Sequence, residues 1–125
     1  MSDKLGEGAV QGAILQYLAA RRIFAVRMNS GMQLGRYKGK KWAIHMNLPG
    51  TADILAFPHY TCRMEGERLG EDWATVTRII PTWLEVKSAT GKQSEYQRSF
   101  QEQVEREGHR YAICRSIEDV AEALK

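Results

Sequence analysis

A chain of 125 residues with 43% hydrophobic content suffices for one domain, residues 1–125, and is short for two. Its 18 Lys and Arg against 15 Asp and Glu leave a net charge of +3, a mild bias that suits phosphate contacts without demanding them. Cys62 and Cys114 form neither a C-x-x-C pair nor a disulfide framework, no stretch approaches the roughly 20 apolar residues of a membrane span, and the first residues do not look like a signal peptide. A chain working in a reducing cytoplasm, away from membranes, is the simplest expectation.

From Leu5 to Arg22, Val10, Ile14 and Leu18 recur at the spacing of one helix face, with Ala13 and Tyr17 beside them. Ile23 to Met28 reads as a short strand closed by the turn signal Asn29-Ser30-Gly31. A stretch rich in glycine and lysine leads to a second strand over Lys41–Met46, which Leu48-Pro49-Gly50 breaks. Thr51 to Phe57 is an apolar run with one acid, Asp53, inside it, and Pro58 ends it. Residues 59–72 suggest an excursion or hairpin tip, followed by strands over Trp73–Ile80 and Thr82–Lys87, with Gly91 closing the turn behind the latter. Ser94 suits the N-cap of a helix over Glu95–Glu107, with Tyr96, Phe100 and Val104 on one face and Gly108 at its stop. Arg110–Arg115 makes a last strand, and Ser116-x-x-Asp119 resembles a cap before a terminal helix, Ile117–Leu124. The expected fold class is α/β: a mixed central sheet flanked by helices, with the first two helices packed on it and the carboxylates at one edge of the strands.

Alternate strand residues share a face, so Glu85 and Lys87 point together while Leu84 and Val86 pack the other way. If Asp53 lies on a neighbouring strand, two carboxylates converge, which is repulsive unless a divalent cation sits between them. Hard oxygen donors suit Mg²⁺ or Mn²⁺. Such an ion stabilises charge developing on a phosphate and acidifies a water, the two needs of phosphodiester hydrolysis. Lys87 would orient or help deprotonate that water, or offset phosphate charge. Each residue also has a plainer reading. Glu-x-Lys on a strand is usually a weak surface ion pair, and Asp53 suits a turn after Gly50 by satisfying backbone amides. The combination, acids inside two apolar strands with one Glu-x-Lys, is what points to a site.

Pro49-Gly-Thr-Ala-Asp53-Ile-Leu55, Trp83-Leu-Glu85-Val-Lys87-Ser88, Gly91-Lys92-x-Ser94-x-x-Gln97, Gly108-His-Arg-Tyr111 and Ser116-Ile-Glu-Asp119 follow one another in an order that resembles the VRR-NUC branch of the PD-(D/E)XK nucleases. Glu7, Gln11 and Asn29-Ser30-Gly31 match further elements of that pattern, while residues 58–80 lengthen the gap between Asp53 and Glu85 beyond it. The resemblance implies a restriction-endonuclease-like core and a Mg²⁺- or Mn²⁺-dependent DNA endonuclease. It implies selectivity for branched DNA such as four-way junctions or flaps, and a homodimer. It implies that Asp53, Glu85 and the Val86 carbonyl hold the metal with Glu7 outside them, that Lys87 assists the water, and that Gln97 contacts the site or the DNA backbone. Glu7 equally suits a helix N-terminus, and Gln97 a solvated helix face.

Arg36, Lys38, Lys40 and Lys41, interleaved with Tyr37 and Trp42, have a composition suited to phosphate contacts and stacking, or to a solvated loop. Gln11 and Ser88 join them as candidate DNA contacts. His45, His59 and His109 lack metal-ligand spacing, and neither cysteine is assigned a catalytic role. Two rivals stand beside the nuclease: a catalytically silent nucleic-acid-binding module of the same fold, and a subunit-interaction domain.

Overall fold

The computed structural model describes residues 6–28, 32–37, 40–45, 49–64 and 74–125, and of 32–37, 40–45, 63, 64 and 74 the backbone only. The chain runs α1 (Glu7–Ala20), β1 (Phe24–Arg27), β2 (Met32–Tyr37), β3 (Lys40–His45), β4 (Ile54–Phe57), β5 (His59–Met64), β6 (Ala74–Ile79), β7 (Thr82–Val86), α2 (Glu95–Arg106), β8 (Arg110–Cys114) and α3 (Ile117–Ala123). β1, β4, β7 and β8 form one mixed sheet in that order, while β2 with β3 and β5 with β6 form separate two-stranded ribbons. β1 and β7 each pair antiparallel with β4, and β7 pairs parallel with β8, so α2 is the crossover between the parallel strands.

Strand alternation divides the sheet between two layers. Ile54, Ala56, Leu84, Val86 and Cys114 pack with Val10, Ile14 and Leu18 of α1 and Val120 of α3. On the opposite face Trp83 and Tyr111 pack against Ala52 and against Phe100 and Val104 of α2. The Trp83 and Phe100 rings meet edge to face, with centroids 4.9 Å apart. Glu85 shares the strand parity of Trp83, so it lies on the α2 side, on an inner strand, with both neighbours in β7 buried.

Both long helices end in the same motif, with different residues. At α2 the backbone N–H of His109 donates to the Val104 carbonyl (3.0 Å) and that of Gly108 to Glu105 (3.1 Å), with Gly108 at φ +87°. At α1 the N–H of Ile23 donates to Leu18 (2.9 Å) and that of Arg22 to Ala19 (3.0 Å), but the left-handed position, φ 58°, is held by Arg22. Glycine takes such a position freely, whereas a side chain there costs about 1 kcal/mol or more.

Two elements differ from what the sequence predicts. Asp53 lies in a bend one residue ahead of β4 rather than inside a strand: the ladder of β4 begins at Ile54, although the Asp53 carbonyl still accepts from Met28 N–H (2.7 Å) in the β1–β4 register. Met32–Tyr37, read as an irregular lead-in, is a strand, its register with β3 running from Met32 opposite His45 to Tyr37 opposite Lys40. As expected, the carboxylates sit together at one end of neighbouring strands, here β4 and β7, the two inner strands of the sheet. No helix among the described residues is long and apolar enough to cross a membrane.

Candidate active site

The β4–β7 register pairs Ile54 with Leu84, and its next step sets Asp53 opposite Glu85. Asp53 is held there by its own carboxylate, since Oδ2 accepts from the Val86 backbone N–H at 2.8 Å. This is the amide-satisfying role of a turn aspartate, directed across to β7 rather than along its own loop. Behind it the Pro49-Gly50 turn abuts the first turn of α2: Gly50 has φ +83°, and a Cβ there would overlap the Tyr96 carbonyl. Glycine is therefore required twice over, for the backbone angle and for the close approach.

Glu85 is 2% exposed. Gln97 donates to its Oε1 through Nε2, and the Lys87 ammonium stands 3.8 Å from the same oxygen. Its Oε2 is buried and has no hydrogen-bond partner among the described residues. Gln97 reaches Glu85 because a capping box orients it: Ser94 Oγ accepts from Gln97 N–H (3.2 Å), and Gln97 Oε1 accepts from Ser94 N–H (2.8 Å). The start of α2 is thus tied to the acid on β7.

Glu7, in the first turn of α1, closes the group from the other layer. An added methyl at Gly91 would lie 3.5 Å from Glu7 Oε1, 3.4 Å from Lys87 Cδ and 3.2 Å from Ser88 Oγ, so these three side chains gather around that glycine. Gly91 N–H donates to Ser88 Oγ (3.1 Å), and the Arg115 guanidinium donates to the carbonyls of both Ser88 and Gly91 (2.8 Å to the latter). Arg115 thereby fixes the turn that joins Lys87 to α2.

Electrostatics reflect this crowding. Burial, then the carboxylates of Asp53 and Glu7, push the Glu85 pKa up to about 7 against the opposing pull of Lys87 and the Gln97 hydrogen bond. Asp53 is also raised, chiefly by burial and further by Glu7, while the Val86 amide, Lys87 and Arg27 act in the other direction. Next to them Gln93 bridges Gln101 Oε1 (2.8 Å) and the Tyr111 hydroxyl (3.2 Å), and burial with nearby carboxylates raises Tyr111 to about 12.

Asp53, Glu85, Val86, Lys87, Gln97, Ser88 and Glu7 therefore lie about one small volume. Gln11 is half-buried one turn further along α1. Arg36, Lys40 and Lys41 lie on the β2–β3 ribbon with side chains outside the described set, and Lys38 lies outside the described residues altogether, as does Asn29-Ser30-Gly31. His109 accepts from Trp83 Nε1 through Nδ1 (2.9 Å), and burial pushes the Cys114 thiol up to about 12. Sequence reasoning missed Arg115, Gln93 and Tyr111. Arg115 acts across strands 24 to 27 residues apart, for which no local spacing gives a signal.

Among the described residues no group of three or more His, Cys, Asp or Glu side chains is arranged to hold a metal ion. The pair that comes together does fit a hard cation: Asp53 raises the pKa of Glu85, Glu7 raises both, and one buried Glu85 oxygen has no partner among the described residues. Mg²⁺ characteristically takes one or two protein carboxylates and keeps the rest of its shell for water and substrate oxygens. Comparison with models of known families, with characterised proteins and with solved structures finds no match.

Proposed function

We propose that this chain is a metal-dependent DNA nuclease with a restriction-endonuclease-like core, in which Asp53, Glu85 and Lys87 carry the reaction. The observation that supports it most is Glu85: a carboxylate buried on an inner strand, facing a second acid, with a lysine beside one oxygen and no partner for the other among the described residues. As structure alone this arrangement is unfavourable, because desolvated like charges and an unsatisfied acceptor each destabilise the fold. A divalent cation removes both penalties.

Asp53 and Glu85 would hold Mg²⁺ or Mn²⁺, with the Val86 main chain adjacent and Glu7 bearing on both acids from α1. When bound, the ion supplies a Lewis acid for the scissile phosphate and acidifies a water near neutral pH. Lys87 holds positive charge one pleat from Glu85, where it faces a phosphate oxygen or the attacking water. Gln97 fixes the Glu85 carboxylate through one N–H while its own oxygen is committed to the helix cap. Arg115 keeps the turn behind Lys87 in place.

Branched DNA, such as a four-way junction or flap, is the proposed substrate, and a homodimer would set two sites on it. Phe24 and Val26 on edge strand β1, 67% and 39% exposed, offer apolar surface for that pairing. A reducing cytoplasm agrees with the free Cys62 and Cys114.

A silent binding module gains nothing from two acids set beside a polyanion, so no observation favours that rival. Calorimetric titration with Mn²⁺ tests the reading: the parent binds, and Asp53→Ala and Glu85→Ala each bind at least about tenfold more weakly. Equal binding by parent and variants, or none by any of them, contradicts it.

A further inference from the structure

At the opposite end of α1 from Glu7, about 20 Å away along the helix, the fold leaves an open cavity of about 220 Å³. Its walls include Arg21, Arg22, Pro58, His59, Tyr60 and Leu124, and no Asp or Glu is among its lining residues. No carboxylate stands within 4.0 Å of Arg21, Arg22 or His59 among the described residues. We propose that this cavity is a phosphate-binding site, with the Arg21 and Arg22 guanidinium groups as its principal donors.

Three observations carry the assignment. The first is the lining itself, because guanidinium forks match the oxygen geometry of phosphate and two arginines line one cavity without an anionic partner among the described residues. The second is Arg22. Its backbone occupies the left-handed position that closes α1, the position that Gly108 fills in the same motif at α2. A backbone angle that glycine takes freely is here given to an arginine that lines the cavity, and strain of that kind collects where function needs it.

The third is the rigidity of the walls. Arg21 Nη1 donates to Tyr17 Oη at 2.8 Å and its guanidinium lies 5.5 Å over that ring, which fixes the side chain and commits one of its five N–H donors. Tyr60 Oη donates to the Leu124 carbonyl (3.0 Å) and accepts from Arg110 Nη1 (3.0 Å), so its hydroxyl is committed to the frame. Arg110 also packs 4.8 Å over the Tyr60 ring and donates to the Lys125 main-chain oxygen (2.9 Å), which braces that wall from behind. Arg21 and the Tyr60 wall are therefore held in place before a ligand arrives.

The phosphate could come from a nucleic-acid backbone or from a free anion, and both share the chemistry that the cavity recognises. The site stands independently of the Asp53 and Glu85 reading. It is tested by calorimetric titration of the whole chain with inorganic phosphate and with a short single-stranded DNA, using the parent, Arg22→Gly and the double variant Arg21→Ala/Arg22→Gly. Glycine is at ease at position 22, so Arg22→Gly keeps the melting temperature within a few degrees of the parent while phosphate binds about tenfold more weakly, and the double variant loses it further. Competition between DNA and phosphate assigns the backbone as the source, and its absence assigns the free anion. Phosphate affinity equal in parent and both variants, or no phosphate binding by the parent at millimolar concentration, overturns the proposal.

Discussion

Replacing Glu85 by glutamine isolates the charge that makes the candidate active site unfavourable as mere structure. The side chain keeps its shape, its Oε1 still accepts from Gln97, and the buried Oε2 position becomes a neutral amide. In the parent, burial and the neighbouring carboxylates raise this acid from 4.5 to about 7, so the folded protein retains a proton there that the unfolded chain has released. Stability of the parent therefore falls as pH rises through the window from 4.5 to about 7, and the deficit is fully present above it. The shift corresponds to an upper limit of roughly 3 kcal/mol, which relaxation of the site and screening reduce to about 1–2 kcal/mol. For a chain of this length that is about 4–8 °C in melting temperature. Thermal unfolding in EDTA reads it: at pH 8 Glu85→Gln melts higher than the parent by about that amount, and at pH 4.5 the two coincide within about 2 °C. Equal melting temperatures at pH 8, or a variant that melts lower at both values, refute the argument that Glu85 is a strained buried acid.

Gly50→Ala places a side chain at a positive φ and against the Tyr96 carbonyl, so it loses at least about 2 kcal/mol in urea unfolding and loosens the turn that delivers Asp53. Ser94→Ala removes the acceptor for Gln97 N–H and breaks the capping box; the expected loss is about 1 kcal/mol of stability, with a weaker Mn²⁺ site because Gln97 no longer holds Glu85.

What could be read from the sequence follows the range of the forces involved. The two-residue period of a strand placed Glu85 and Lys87 on one side and Leu84 and Val86 on the other, and the 3.6-residue period placed Val10, Ile14 and Leu18 on the buried face of α1. Ser94 carried its capping signal locally. Met32–Tyr37 did not read as a strand because Gln33, Gly35 and Arg36 dilute its apolar pattern, and pairing with β3 supplies what propensity lacks. Asp53 was visible as an acid among apolar residues, but its place in a bend depends on a bond to Met28 and another to Val86, 33 residues away. Arg115 likewise depends on where the chain returns, which no window of neighbouring residues contains. The cavity beside Tyr60 was beyond reach for the same reason, since its walls and their brace join the end of α1, the β4–β5 junction, β8 and the last residues.

Incubation of the purified chain with labelled single-stranded, duplex, flapped and four-way-junction DNA in Mg²⁺, Mn²⁺ or EDTA puts the central claim to the test, with Lys87→Ala run beside the parent. The account predicts metal-dependent cleavage, fastest on a branched substrate, abolished by EDTA and lowered at least about 100-fold by Lys87→Ala. Cleavage that persists in EDTA or survives Lys87→Ala undiminished, or no cleavage of any substrate by the parent, contradicts it.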